Sequence, residues 1–529
     1  MRLRLVFVST LAALCGAGSL FAGDWPQWRG PQRNGLAPES PRLLEQFPAG
    51  GPKRVWSNDE IRAGSDAGYG SPTVSQGKVY VYQNLNMPPV RRVLSRAVFD
   101  RSGYAAGMPD ELAQAVEQAR LSEARRTLDP RGLDPWVRDW MDTHMKADQR
   151  KWRGAVQARL RAGTNALPID LLAKLVPIID RSFANETELN RWLDENAFDE
   201  ASQKRIRQVC VPTDEKSSND VVWCLDAATG KTDWRRTLSS QWFYYPASTT
   251  PTVVDGKCYV LNSEARVFCL DAKTGEEVWK SPPLGSGGFH HNRSSSPLLV
   301  DGVLVVLTEG CLAGVDAADG KVLWNNAELK NPQSSVACWT TDGKSYAIVN
   351  ASGKLCCVDP KDGLTKWSVP SEGASTPTVA GDFAAVAGGG KVGLACFKLS
   401  VEKAEKLWGV AWKDAHSGPI IFDGCVYALG EAFYDRGQGR AVCVGLETGK
   451  VAWSQVVGPP QHSSPLLADG KIIAVSGSQL LMIRATPEKY APLGVANVGA
   501  EMWPSPAVAD GKVFVRTARG IACFDLAKP

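Results

Sequence analysis

Long apolar runs, charge of one sign and histidine are all scarce in this chain of 529 residues. Lysine and arginine number 60 against 56 aspartate and glutamate, a formal net charge of +4. With no polybasic block, that balance gives no footing for nucleic acid or an anionic lipid surface. Beyond the first residues, no apolar stretch is long enough to cross a bilayer. The five histidines include no His-x-x-x-His pair, so local metal spacing is absent, and no Cys-x-x-Cys-His offers covalent haem attachment. With 44% hydrophobic and 22% charged residues, most of the chain is also excluded from the disordered class.

What is present begins with a leader. Met1–Arg4 is a positive start, Leu5–Ala22 a short apolar run, and small residues lie at Ala22 and Gly23. That pattern predicts a signal peptide over residues 1–22 and an exported protein. Leu11–Cys15 has the look of a lipid-attachment box, but Leu14 stands where a small residue is wanted. Thirteen cysteines in an exported chain raise the question of disulfides. Six of them, Cys224, Cys269, Cys357, Cys396, Cys443 and Cys523, recur at one position of a repeat, which reads as buried packing. One pair, Cys258 and Cys269, would face each other in a hairpin turning at Ser263–Glu264.

The repeat has two phrases. One reads Asp-Ala-x-Thr-Gly-Lys-x-x-Trp and ends at Trp234, Trp279, Trp324, Trp367 and Trp453. The other is a Ser/Thr-Pro start followed by a short apolar run and an Asp-Gly turn. It begins at Ser71, Thr250, Ser296, Ser335, Thr376, Gly418, Ser464 and Ser505, spaced 39 to 46 residues apart after the first. Short alternating strands at that period predict an all-β fold, an eight-bladed β-propeller with one four-stranded blade per repeat. The last repeat lacks its fourth strand, and Lys53–Ser57, carrying Trp56, supplies a candidate for it. The tryptophans predict flat docking surfaces between blades. The seventh repeat is eroded, with neither the turn nor the tryptophan.

These phrases resemble the tryptophan-docking motif of the PQQ-type propeller repeat, shared by quinoprotein alcohol dehydrogenases and BamB-like assembly proteins. Asp24–Gly35 (DWPQWRGPQRNG) is similar to the segment that opens many bacterial PQQ-like repeat proteins. The resemblance covers residues 24–85 and 220–529 and implies a shared fold, with enzymes and scaffolds both in reach. Domain boundaries follow: 23–85 for the N-terminal segment, closing strand and start of blade 1, and 220–529 for the rest of the propeller. Residues 86–219 interrupt blade 1 with helical spacing and predict an insertion of five or six helices.

In a propeller, loops leading into the inner strands crowd the axis. The residue three before each start proline gives a ring of Tyr69, Ser248, Ser294, Gln333, Ala374, His416, His462 and Trp503. Trp242 and Tyr244 in one neighbouring loop, His290, His291 and Arg293 in another, and Glu309 complete a candidate binding face. Three readings stay open: a mouth for a peptide, glycan or partner loop, a transition-metal site, or histidines kept for loop packing alone. The resemblance also implies a dehydrogenase alternative, with PQQ, calcium held by acidic and amide ligands, an Asp base and a vicinal disulfide. Cys356 and Cys357 are adjacent but lie within a strand, and Glu309, Glu431 and Asp414 fall on no assignable ligand positions. The expectation is a non-catalytic binding or scaffold protein of the cell envelope, with no cofactor and no metal. The alternative is a PQQ- and calcium-dependent alcohol dehydrogenase.

Overall fold

The computed structural model describes residues 23–87, 92–94, 96, 99, 103–183, 185–212, 216–285, 294–414, 416–431, 438–459 and 461–529. The leader with Cys15, and His290, His291 and Arg293, lie outside the described residues. The chain divides into two compact units, residues 1–86 with 218–529, and residues 87–217.

The larger unit is mainly β and contains eight antiparallel four-stranded blades. Blade 1 consists of Thr73–Ser75, Lys78–Met87, Ser217–Asp226 and Thr232–Leu238, so the insertion joins its second and third strands. Blades 2 to 7 follow in chain order, starting at Thr252, Leu298, Ala337, Thr378, Ile420 and Leu466. Blade 8 takes Ala507–Ala509, Lys512–Arg516 and Ile521–Asp525 from the C-terminus and Lys53–Asn58 from the N-terminus, with Trp56 opposite Cys523. Pairing the two ends of the chain in one sheet leaves no open edge at the seam. Tight turns at the first hairpins suit Asp-Gly, as at Asp301 (φ 49) and Gly302 (φ 80), a backbone that splays neither strand.

Adjacent blades dock through one repeated device. The indole N–H of each outer-strand tryptophan donates to a carbonyl of the next blade. Trp56 reaches Ala227, Trp234 reaches Ala272, Trp279 reaches Ala317, and Trp324 reaches Pro360. Trp367, Trp408 and Trp453 reach Ser400, Leu446 and Thr486. At most of these junctions the ring also lies on the turn glycine of the next blade. A Cβ at Gly320 would come within 2.5 Å of Trp279, and one at Gly363 within 2.4 Å of Trp324.

The recurrent cysteine has a related cause. Cys224, Cys269, Cys357, Cys396, Cys443 and Cys523 each sit directly opposite a docking tryptophan on the neighbouring strand. In blade 3 the equivalent residue is Gly314, where a Cβ would fall 2.2 Å from Trp324. The position wants a small residue under a large ring. All twelve described cysteines are free. The facing of Cys258 and Cys269, which a hairpin turning at Ser263–Glu264 would allow, does not occur. Cys258 pairs with Leu270 and Cys269 with Tyr259, one register apart, so the two thiols point to opposite faces. The loop Asn262–Arg266 turns about Glu264 with Ala265 at φ 58, not between Ser263 and Glu264.

Blade 7 lacks its tryptophan, with Gly494 at that position opposite Met482. The N-terminal segment fills the space: a Cβ on Gly494 would meet the Phe47 ring at 2.6 Å, and the Phe47 N–H donates to Leu493 at 3.0 Å. Leu36–Ala37 adds a parallel fifth strand on the inner edge of the same blade.

The smaller unit is helical. Where five or six helices were expected, the described residues hold seven, of which Glu123–Arg126 is a single turn. Two apolar clusters form its cores, one around Leu172, Phe183 and Leu193 and one around Val116, Val156 and Leu160. Between the helices Asp110–Leu121 and Arg153–Ala162, Glu117 accepts from both Arg120 and Arg159. Among the described residues no helix is long and apolar enough to cross a membrane.

Candidate functional site

The Ser/Thr that opens each repeat has a structural role that strand reading alone does not show. Its hydroxyl accepts the backbone N–H of the equivalent residue in the preceding blade. The N–H of Ser71 donates to Thr250, Thr250 to Ser296, Ser296 to Ser335, and Ser335 to Thr376. Gly418 donates to Ser464, Ser464 to Ser505, and Ser505 back to Ser71. A girdle of buried hydrogen bonds therefore runs around the axis. It is interrupted only between blades 5 and 6, where Gly418 has no hydroxyl to offer.

The N-terminal segment fills the axis beside this girdle. Trp25 pairs with Val74 of blade 1, the N–H of Val253 in blade 2 donates to Pro26, and that of Leu467 in blade 7 donates to Gly35. Arg33 is fully buried and donates to the carbonyls of Pro297 (2.8 Å) and Ser296 (2.9 Å). Arg29 donates to the Thr378 hydroxyl at 2.6 Å and to the Pro419 carbonyl. Burial pulls both guanidiniums down to about 9, which leaves them charged at neutral pH. Gly418 is the residue that makes room, since a Cβ there would lie 2.6 Å from the Arg29 guanidinium. The opening phrase DWPQWRGPQRNG is thus an axial plug held to inner strands on most sides.

An arc of side chains lies in the loops that lead into the inner strands. His462 stacks on Trp503 with centroids 4.2 Å apart and planes 17° apart. His416 meets Trp503 edge-on at 5.4 Å and His462 at 5.7 Å. Trp503 continues to Tyr69 at 6.0 Å, and the Tyr69 N–H donates to Ser248. The Tyr69 phenol is pushed up by burial and by the nearby Glu501, Asp66 and Tyr245. Tyr244 and Tyr245 make an edge-to-face pair at 4.8 Å and are 63% and 43% exposed, while Trp503 is 36% exposed. Trp242 is half-buried beside them. Five successive blade junctions, from 5/6 through 8/1 to 1/2, supply this arc.

Beneath the histidines lies Asp414, which sequence reasoning named only as an acidic loop residue. Its carboxylate is buried and accepts the N–H groups of His416 (2.9 Å) and Ser417 (3.3 Å). Nδ1 of His416 and Nδ1 of His462 stand 3.3 and 3.6 Å from the same Oδ1. Burial pushes this carboxyl up, but the two imidazoles and the His416 N–H outweigh it and hold it below its usual range. Gly430, in the strand Cys425–Glu431, leaves the space: a Cβ there would be 2.5 Å from Asp414 Oδ2.

Other expected residues stay apart from this cluster. Glu309 is buried in the Thr308–Cys311 turn of blade 3. Gln333 belongs to a turn around Asn331, and Ser294 donates to Pro332. Cys356 and Cys357 are consecutive, buried and free inside the strand Lys354–Val358. Calcium takes six to eight oxygen ligands, whereas the neighbours of Asp414 are imidazole nitrogens. Among the described residues, the Asp414 cluster therefore does not fit a calcium site, and Cys356 and Cys357, consecutive in one strand, do not fit the vicinal disulfide that the dehydrogenase resemblance implies. Sequence reasoning missed Arg29, Arg33 and Trp408 altogether. Trp408 follows the turn Ser400–Lys403, which lacks the Asp-x-x-x-Gly signature.

Eight blades, seven of them carrying a docking tryptophan, define the class: a propeller of PQQ-type repeats. The family model described as outer membrane protein assembly factor BamB matches residues 208–342 and 328–528, more than half of the chain. The chain belongs to this BamB-like PQQ-repeat family. Among solved structures it is similar to BamB from Moraxella catarrhalis, at 14% identity and a TM-score of 0.45, over 57% of this chain and 87% of that one. It is also similar to the quinohemoprotein alcohol dehydrogenase from Comamonas testosteroni, at 13% identity and a TM-score of 0.41, over 96% of this chain and 81% of that one. The corresponding enzyme ADHIIG from Pseudomonas putida HK5 gives 12% identity and 0.42 over 59% and 73%. No curated protein matches the chain.

Proposed function

We propose that this chain is an exported, non-catalytic binding or scaffold protein of the cell envelope, BamB-like in role, that receives a partner on the aromatic and histidine arc. The observation that carries this reading is two packed ring pairs, Tyr244 with Tyr245 and Trp503 with the partly buried Tyr69, in which Tyr244, Tyr245 and Trp503 are exposed. Tyrosine and tryptophan give large contact area at small entropic cost and dominate the centres of protein interfaces. Membership of a family described as an outer membrane assembly factor supports the compartment and a protein or peptide partner over a small substrate.

A photo-crosslinking residue placed at Tyr244 in cells tests the role, with the same residue at Lys361, in the turn after Lys354–Val358, as the control. The expected result is a discrete adduct with one envelope protein from position 244 alone, lost when Trp503 is changed to Ala. Equal labelling from both positions would overturn the reading. So would calcium-dependent PQQ binding with dye reduction by the purified protein.

A further inference from the structure

We propose that Asp414, His416 and His462 form a three-ligand site for a divalent first-row transition ion of the zinc class, with its remaining coordination positions open beside Trp503. The three residues come from two different interblade loops, and their ligand atoms all lie within 4.8 Å of one another. Ligand atoms on a tetrahedral zinc ion, with bonds of about 2.0–2.1 Å, stand about 3.4 Å apart. The separations of 3.3 and 3.6 Å between Oδ1 and the two Nδ1 atoms are already at that spacing.

The chemistry of the donors agrees. Two imidazoles and one carboxylate are borderline ligands that favour zinc and its neighbours over calcium or magnesium. His462 Nδ1 is buried and has no hydrogen-bond partner among the described residues, although it is aimed at a carboxylate oxygen. A buried polar atom left in that state costs free energy that a bound ion would recover. The outer arrangement resembles a supported site. Asp414 is oriented by the backbone N–H groups of His416 and Ser417, and the His462 ring is held by stacking on Trp503. Three protein ligands leave at least one position free, and His416, with its side chain 37% exposed, marks the open side. This site neither requires the binding role proposed above nor is required by it.

Equilibrium dialysis of the purified protein against zinc chloride tests it, with cobalt(II) chloride and visible absorption reporting nitrogen and oxygen ligation. The expected result is one ion per chain, with His462→Ala and His416→Ala each weakening binding by about 10-fold or more. His144→Ala, in the helix Pro130–His144, leaves binding unchanged. Because His416 is partly exposed, its variant carries the test even where His462→Ala fails to fold. Less than a fifth of an equivalent bound, or binding that both arc variants leave within about twofold, would overturn the assignment.

Discussion

Asp220 offers the sharpest quantitative test of how blades 1 and 2 are joined. It lies in the strand Ser217–Asp226, is fully buried, and carries a carboxylate surrounded by donors. Tyr82 Oη–H donates to Oδ1 at 2.7 Å and Asn84 Nδ2–H at 2.6 Å. The N–H and hydroxyl of Ser263, across the junction in blade 2, donate to Oδ2 at 2.9 and 2.7 Å. Burial nevertheless dominates these four hydrogen bonds and pushes the carboxyl up to about 6. Against an unfolded value of about 3.9, that is about two units, or about 3 kcal/mol.

The sign is set by linkage. The folded state binds this proton more tightly than the unfolded state does. The extra stability is therefore fully present below about pH 3.9 and is lost as pH rises through about 6. Urea unfolding of the wild type and of Asp220→Asn, followed by tryptophan fluorescence between pH 4 and 7, isolates the effect. Groups other than Asp220 cancel in the difference between the two proteins. The wild type is expected to lose about 2.3 kcal/mol of this stability relative to the variant between pH 4 and 7. A difference that stays flat to within about 0.5 kcal/mol would refute the account, because the carboxyl would then be ionised in the fold at no cost.

Other outcomes follow from the packing at three places, the Trp279 junction, the Ser296 girdle bond and Arg33. Gly320→Ala forces a Cβ to within 2.5 Å of Trp279 at a φ of 79, and a loss of about 2–4 kcal/mol is expected by chemical denaturation. Trp279→Phe, which gives up the indole bond to Ala317 but keeps a ring, should cost less than Gly320→Ala in the same assay. Ser296→Ala removes the acceptor for the buried Thr250 N–H at 3.1 Å, for about 1–2 kcal/mol by the same measurement. Arg33→Met leaves the carbonyls of Pro297 and Ser296 without their donor and should lower stability by about 2–4 kcal/mol. Arg33→Lys should recover only part of that, since an ammonium cannot serve both carbonyls in a planar fork.

The repeated phrase was legible because its parts act within one blade and its immediate neighbour. A turn, a small residue and a tryptophan keep fixed offsets, so Trp234, Trp279 and Trp324 announce themselves by spacing. Trp408 does the same work behind an irregular turn and was missed for that reason. Phe47 was missed because its partner Gly494 lies more than 400 residues away, in the eroded blade. The repeat alignment located His416 and His462 at equivalent positions, but equivalence in a ring gives no distances. Only the folded loops bring both imidazoles to one oxygen of Asp414. The register of Cys258 and Cys269 failed on a single residue of loop length, which is enough to reverse a side chain in a strand.

The plug and the girdle together tie the inner strands of different blades to one another. Arg29 and Arg33 carry buried charge, and each is held by carbonyls or hydroxyls that begin the inner strands of different blades. Removing the segment would leave those acceptors facing an empty axis, so the plug is part of the ring's stability and not an appendage.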